Sequence, residues 1–115
     1  MPRPLNGAPE QQRLHGNPAE SYEQRFARYA HNAGVTATFS DGYAARQRTA
    51  ATMHRGAAAN ALRHGDTTAA DLYDEMAKAA LDAADALDDL GALARKVQAH
   101  YESRTAVTSE QERQS

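Results

Sequence analysis

Residues 67–102 read TTAADLYDEMAKAALDAADALDDLGALARKVQAHYE, and this stretch decides the fold class. Ala69, Tyr73, Met76, Ala80, Ala83, Leu87, Leu90, Ala94, Val97 and Tyr101 recur at alternating spacings of four and three. That is the spacing of a heptad seam, sustained for about four heptads. A single helix over 67–102 is about 54 Å long at 1.5 Å per residue. The side chains expected to pack along it are Tyr73, Met76, Leu87, Leu90, Val97 and Tyr101. Leu72, Ala79, Ala86 and Leu93 lie on one flank of the stripe, and Ala77, Ala84 and Gly91 on the other. An apolar arc this wide calls for more than one neighbouring helix.

Working outward, Gly65 followed by Asp66, Thr67 and Thr68 is a helix stop followed at once by helix caps. So short a connection makes its two helices antiparallel neighbours. Before it, a helix is predicted over 41–64, with Phe39, Tyr43, Ala50, Met53, Ala57 and Ala61 on one face. Gly56 inside that helix is a small residue at which another backbone can approach. A further helix is predicted over 18–33. It is capped by Asn17, with Pro18 in its first turn and Glu20 reaching back, and Tyr22, Phe26 and Tyr29 form its stripe. Gly34 ends it, and the Thr-rich stretch up to Ser40 reads as a loop. Residues 1–17, with Pro2, Pro4, Pro9, Gly7 and Gly16, read as a flexible arm. The polar residues 103–115 read as a disordered tail. The expected fold is all-α: an antiparallel helical hairpin or three-helix bundle with a long C-terminal amphipathic helix.

Composition agrees. Alanine occurs 26 times among 115 residues, Arg outnumbers Lys 11 to 2, and Ile, Trp and Cys are absent. Alanine is the strongest intrinsic helix former, and the bias toward Ala, Arg and Asp matches a GC-rich bacterial genome. Without cysteine there is no disulfide framework and no thiol chemistry. No apolar run approaches the roughly 18 residues that span a bilayer, and the first residues lack the apolar core of a signal peptide, so a cytoplasmic location is expected. Large hydrophobes are scarce: 17 between Tyr22 and Tyr101. Small domains with thin cores often recover stability by oligomerising, so self-association is expected.

Two charged ridges are the candidate partner-binding features. Asp71, Glu75, Asp82, Asp85 and Asp89 recur at helical spacing, and residues 66–90 hold eight acids against Lys78. Arg48, Arg55 and Arg63 lie seven or eight apart, on the side of their predicted helix away from its apolar stripe. The plain reading of both is a solvated face. The functional reading is docking: a basic partner on the acids, an acidic one on the arginines, or one ridge against the other between copies of the chain. Helix, Gly65, helix also suggests a helix-turn-helix, but its second helix is the acidic one, and phosphates repel it.

Catalysis, cofactors and metals find no support. His15, His31, His54, His64 and His100 are never three or four apart, and none follows a Glu at the spacing of bundle di-iron sites. The Asp-x-x-Asp pairs at 71/74, 82/85 and 85/88 suit Mg²⁺, but the facing helix offers only Asp41 as a converging acid. No phosphate loop or nucleophile elbow is present.

Two helices joined at Arg63-His64-Gly65, with Tyr101 late in the second, resemble the small secreted W-x-G helical-hairpin proteins over about 60 residues. The turn carries no Trp, and no acid stands four residues after Tyr101. That resemblance implies a small exported hairpin. The residues themselves point to a non-enzymatic helical module that works by protein–protein contact as an assembly, scaffold or adaptor component, with a homo-oligomer expected. A nucleic-acid-associated regulator using the Arg48, Arg55 and Arg63 face is the other alternative.

Overall fold

The computed structural model describes residues 20–114. Two long helices fill them: α1, Tyr22–Arg63, and α2, Thr67–Gln114. The fold is all-α with no strand among the described residues, and the connection is that of a helical hairpin rather than a three-helix bundle. The chain divides into two compact units: residues 33–96, which contain the turn, and an end unit built from the start of α1 and the end of α2.

The third helix disappears because the expected loop after Gly34 is helical. Gly34 does not take the left-handed conformation of a helix stop; Gly65 alone has a positive φ among the described residues. The hydroxyls that argued for a loop are absorbed by the helix. Thr38 Oγ1 donates to the Gly34 carbonyl at 3.1 Å and Ser40 Oγ to that of Thr36 at 2.8 Å. A hydroxyl bonding four residues back keeps a Ser or Thr inside a helix.

The ends of the helices follow local chemistry. α1 starts later than expected, at a reciprocal cap in which the Ser21 N–H donates to Gln24 Oε1 and the Gln24 N–H to Ser21 Oγ. Asn17 and Pro18, the expected cap, and the arm 1–17 lie outside the described residues. The turn is as read: Gly65 at φ 79° donates to the Leu62 carbonyl, and Asp66 N–H to that of Ala61, the Schellman pattern. Asp66 Oδ1 then accepts from the Ala69 N–H and caps α2. α2 does not stop at 102, and the segment expected to be a disordered tail is helical through Gln114.

Within residues 33–96 the seam is built of small residues. On α1 the seam runs through buried Ala33, Ala37, Ser40, Ala44, Ala51 and Ala58 and half-buried Gln47, His54 and Ala61, alternating by four and three, with half-buried Gly34, Ala50 and Ala57 bordering it. On α2 the buried positions Ala70, Ala77, Ala80, Ala84, Gly91 and Ala94, with half-buried Leu87, follow the same rhythm. Ala51, Ala77 and Ala80 form a buried cluster with Leu81 against it. No large side chain is fully buried among the described residues. Each seam alanine buries a single methyl, worth about 0.8 kcal/mol. Its compensating virtue is flatness, which brings two backbones into dense contact. Gly91 marks the tightest point, where an added Cβ stands 3.2 Å from Asp41 Oδ1 and 3.5 Å from Ser40 Cβ. Gly56, the position expected to admit a backbone, has nothing within 4 Å of such a Cβ.

The observed seam therefore keeps Ala80, Leu87 and Ala94 of the expected stripe on α2 and Ala61 on α1, and moves the other heptad position on by one residue. Tyr43, Ala50 and Ala57 give way to Ala44, Ala51 and Ala58; Met76, Ala83 and Leu90 give way to Ala77, Ala84 and Gly91. Moving one of the two heptad positions by a residue turns the contact line by about 50°, half the angle of one residue. Ala84 is 0% exposed whereas its neighbour Ala83 lies outside the seam. Ala84→Leu is expected to lower unfolding stability by about 1–3 kcal/mol through overpacking, while Ala83→Leu changes it by less than about 0.5 kcal/mol. Chemical denaturation of both variants measures the difference, and equal effects refute the assigned seam.

Candidate interaction surface

The rotation sorts the side chains of residues 33–96 onto two opposite sides. In an antiparallel pair, each side flank of one helix lies beside the same flank of the other. One side is charged. Arg48 Nη2 reaches Asp88 Oδ2 at 2.5 Å and Asp85 Oδ1 at 3.2 Å, and Arg95 pairs with Asp41. The sequence reading had turned Arg48 away from the acidic helix; the shifted seam swings it toward α2, and one arginine of the basic ridge meets one acid of the acidic ridge within the hairpin. Arg55 and Arg63 are exposed, and Arg63 donates to Asn60 Oδ1. Asp71, Glu75, Asp82 and Asp89 are exposed on α2. The Arg48 guanidinium, donating a hydrogen bond to Asp88, holds that carboxyl below its ordinary value of 3.8, and the same bond raises Arg48 above its own.

The other side is apolar and open. Phe39, Tyr43 and Met53 of α1 lie there with Leu72, Met76, Leu90 and Leu93 of α2. Phe39 is 60% exposed, Met53 69% and Leu90 47%. A shallow groove of about 320 Å³ runs between Thr36, Phe39, Ser40 and Tyr43 on one helix and Leu87 and Leu90 on the other. Phe39 stacks on Tyr43 at 6.3 Å, and the Arg46 guanidinium lies 5.5 Å above the Tyr43 ring. Of the side chains expected to pack within the subunit, Leu87 is half-buried at the seam, Tyr73 borders it, and Met76 and Leu90 are on the open side. Met76 and Leu90 stand at the seam's edge, beside the small contact residues Ala77 and Gly91, whereas Leu87 keeps a half-buried place within it.

The end unit is held differently, by aromatic rings. Tyr101, from the expected packing set, is half-buried against Phe26 at 5.7 Å and Tyr29 at 5.1 Å. Arg104 caps Phe26 at 5.1 Å and Arg28 caps Tyr29 at 4.9 Å. Edge-on and offset ring pairs contribute about 0.5–1.5 kcal/mol each beyond their buried area. Glu20 grips Arg28 with both oxygens, at 3.0 and 3.1 Å, and that hydrogen-bonded pair lowers the Glu20 carboxyl from its ordinary value. Val97 of this unit is exposed.

Among the described residues, no group of three or more His, Asp or Glu is placed to hold a metal ion. No described helix is long and apolar enough to cross a membrane. The chain matches no known protein family, no curated protein sequence and no solved structure.

Two outcomes follow from these contacts. Asp88, with its folded-state value depressed, contributes stability that is present above its unfolded value of 3.8 and is lost as pH falls through the lower folded value. Arg48→Ala should therefore move the Asp88 titration, followed by carboxyl NMR, back up toward 3.8, and the stability gap between the two proteins should close in strong acid. An unmoved Asp88 titration refutes the pair. Tyr101→Ala should cost the end unit about 1–3 kcal/mol, read as faster amide exchange in residues 22–32 with the amides of 70–94 unchanged.

Proposed function

We propose that this chain is a non-enzymatic helical protein–protein interaction module that self-associates and serves as an assembly or scaffold component. One observation carries the reading: most of the exposed large apolar side chains of residues 33–96 are outside the alanine seam and gathered on one side of the hairpin, with Leu62 and Val35 apart from them. Contiguous exposed apolar patches beyond a few hundred Å² are uncommon on monomeric soluble proteins and mark interaction sites. The charged ridges are secondary in this reading. Asp85 and Asp88 are engaged by Arg48, which leaves the basic ridge with less charge to offer a phosphate backbone. Asp71, Glu75, Asp82 and Asp89 keep the outer surface hydrated and steer the approach of partners. The reading involves no cofactor and no small-molecule substrate, and carries a cytoplasmic location with it.

Sedimentation equilibrium of the full chain across the micromolar range tests it. The expected result is an average mass of at least twice the 12.4 kDa of one chain. A stably folded species at 12.4 kDa throughout contradicts the self-association, and calorimetric binding of Mg²⁺ or a nucleotide contradicts the non-enzymatic reading.

A further inference from the structure

We infer that the open apolar face of residues 33–96 is the seat of a second copy of this chain, related by a twofold axis running along the helices. The inference rests on the self-association reading above and names its surface and its occupant. The seven large apolar side chains on this face are each 47–69% exposed in the single chain, a patch of several hundred Å². A standard interface takes about 800 Å² from each partner. A second copy covers the face with an equal one.

Charge selects the same occupant. Among the described residues Arg46 is the single charge within the face, since every other position on it is apolar, Thr or Asn. A nucleic acid or an acidic peptide finds one cation there, and a lipid surface finds no basic rim on α1 beyond Arg46 and Arg63. A neutral, apolar surface of matching size suits it, and an isologous interface supplies one.

The orientation follows from the contacts. Arg48 reaches Asp85 and Asp88, so Arg46 stands level with that part of α2. A twofold axis along the helices lays α1 of one copy over α2 of the other at unchanged height. Arg46 then crosses Ala86, with Asp82 and Asp89 edging the α2 beneath it, and Phe39 meets Leu90 and Leu93. Small residues receive the large: Met53 arrives over Ala79. An axis across the helices instead stacks α1 on α1 and α2 on α2, leaving Arg46 away from the acids.

The test uses the full-length chain in sedimentation equilibrium, with helicity checked by circular dichroism. Leu90→Glu and, independently, Met53→Glu should each raise the dimer dissociation constant by roughly 30-fold or more, the equivalent of one hot-spot residue. Met53 is 69% exposed in the single chain, so its replacement leaves the hairpin itself intact. Arg55→Glu, on the charged side, should leave dimerisation within about threefold. Loss of the dimer in both face variants with Arg55→Glu unaffected supports the inference. Dimers that resist both face variants but fall apart in Arg55→Glu overturn it and leave the interaction module standing on its ridges. A wild-type chain that stays at single-chain mass, free or bound to phosphatidylcholine vesicles, overturns it together with the self-association.

Discussion

Contact between two helices through alanine is the constraint on which the rest of this structure depends. A flat seam lets the backbones of α1 and α2 approach closely, and Gly91 opposite Ser40 and Asp41 shows how little room remains. Such contact is dense, but it removes little apolar area from water per residue. Most of the larger apolar side chains stand beside it, and Leu87 is only half-buried within it. Those of the two helices gather mainly on one flank, with exposed Leu62 on the other. The polar remainder falls on the opposite side, where Arg48 and Arg95 meet Asp85, Asp88 and Asp41. Core, ion pairs and open face are thus three consequences of one packing choice.

The two units illustrate different solutions to the same shortage of large hydrophobes. The end unit links its rings, Tyr22, Phe26, Tyr29 and Tyr101, in a chain of contacts with guanidinium groups over Phe26 and Tyr29. The turn-containing unit spreads alanine along its seam and leaves Phe39, Met53, Leu90 and Leu93 to water. Exposed ion pairs such as Arg48 with Asp85 add little to stability, but they set which flank faces which. In the proposed assembly the missing burial comes from another copy, so that the seam fixes the shape of the unit and the flank supplies association.

Much of this was legible in the sequence, and the rest was hidden for a definable reason. Helix content, the Gly65 stop with the Asp66 cap, and the antiparallel pairing followed from propensity and turn chemistry. The break after Gly34 was misread because Gly and Thr are weak helix formers, whereas neighbouring alanines and back-bonded hydroxyls carried the helix through. The seam is hard to place from hydrophobicity because Tyr43, Met76 and Leu90 outweigh the small neighbours Ala44, Ala77 and Gly91, and the other adjacent pairs are alanine beside alanine. The signal that resolves it was present all along: Ala37, Ala44, Ala51 and Ala58 on α1, and Ala70, Ala77, Ala84 and Gly91 on α2, each seven residues apart. Unbroken smallness at one heptad position identifies contact better than hydrophobicity does. With the seam displaced, Arg48 and the acids changed from two separate ridges into partners, and the apolar stripe changed from a core into a surface.

Alanine methyl NMR with a soluble paramagnetic probe tests this account most directly, because neighbouring methyls differ only in the direction they face. In a chain held monomeric, the methyls of Ala77 and Ala84 should keep their intensities while those of Ala79, Ala83 and Ala86 are strongly broadened. Protection of Ala83 with broadening of Ala84 would place the larger side chains inside and contradict it.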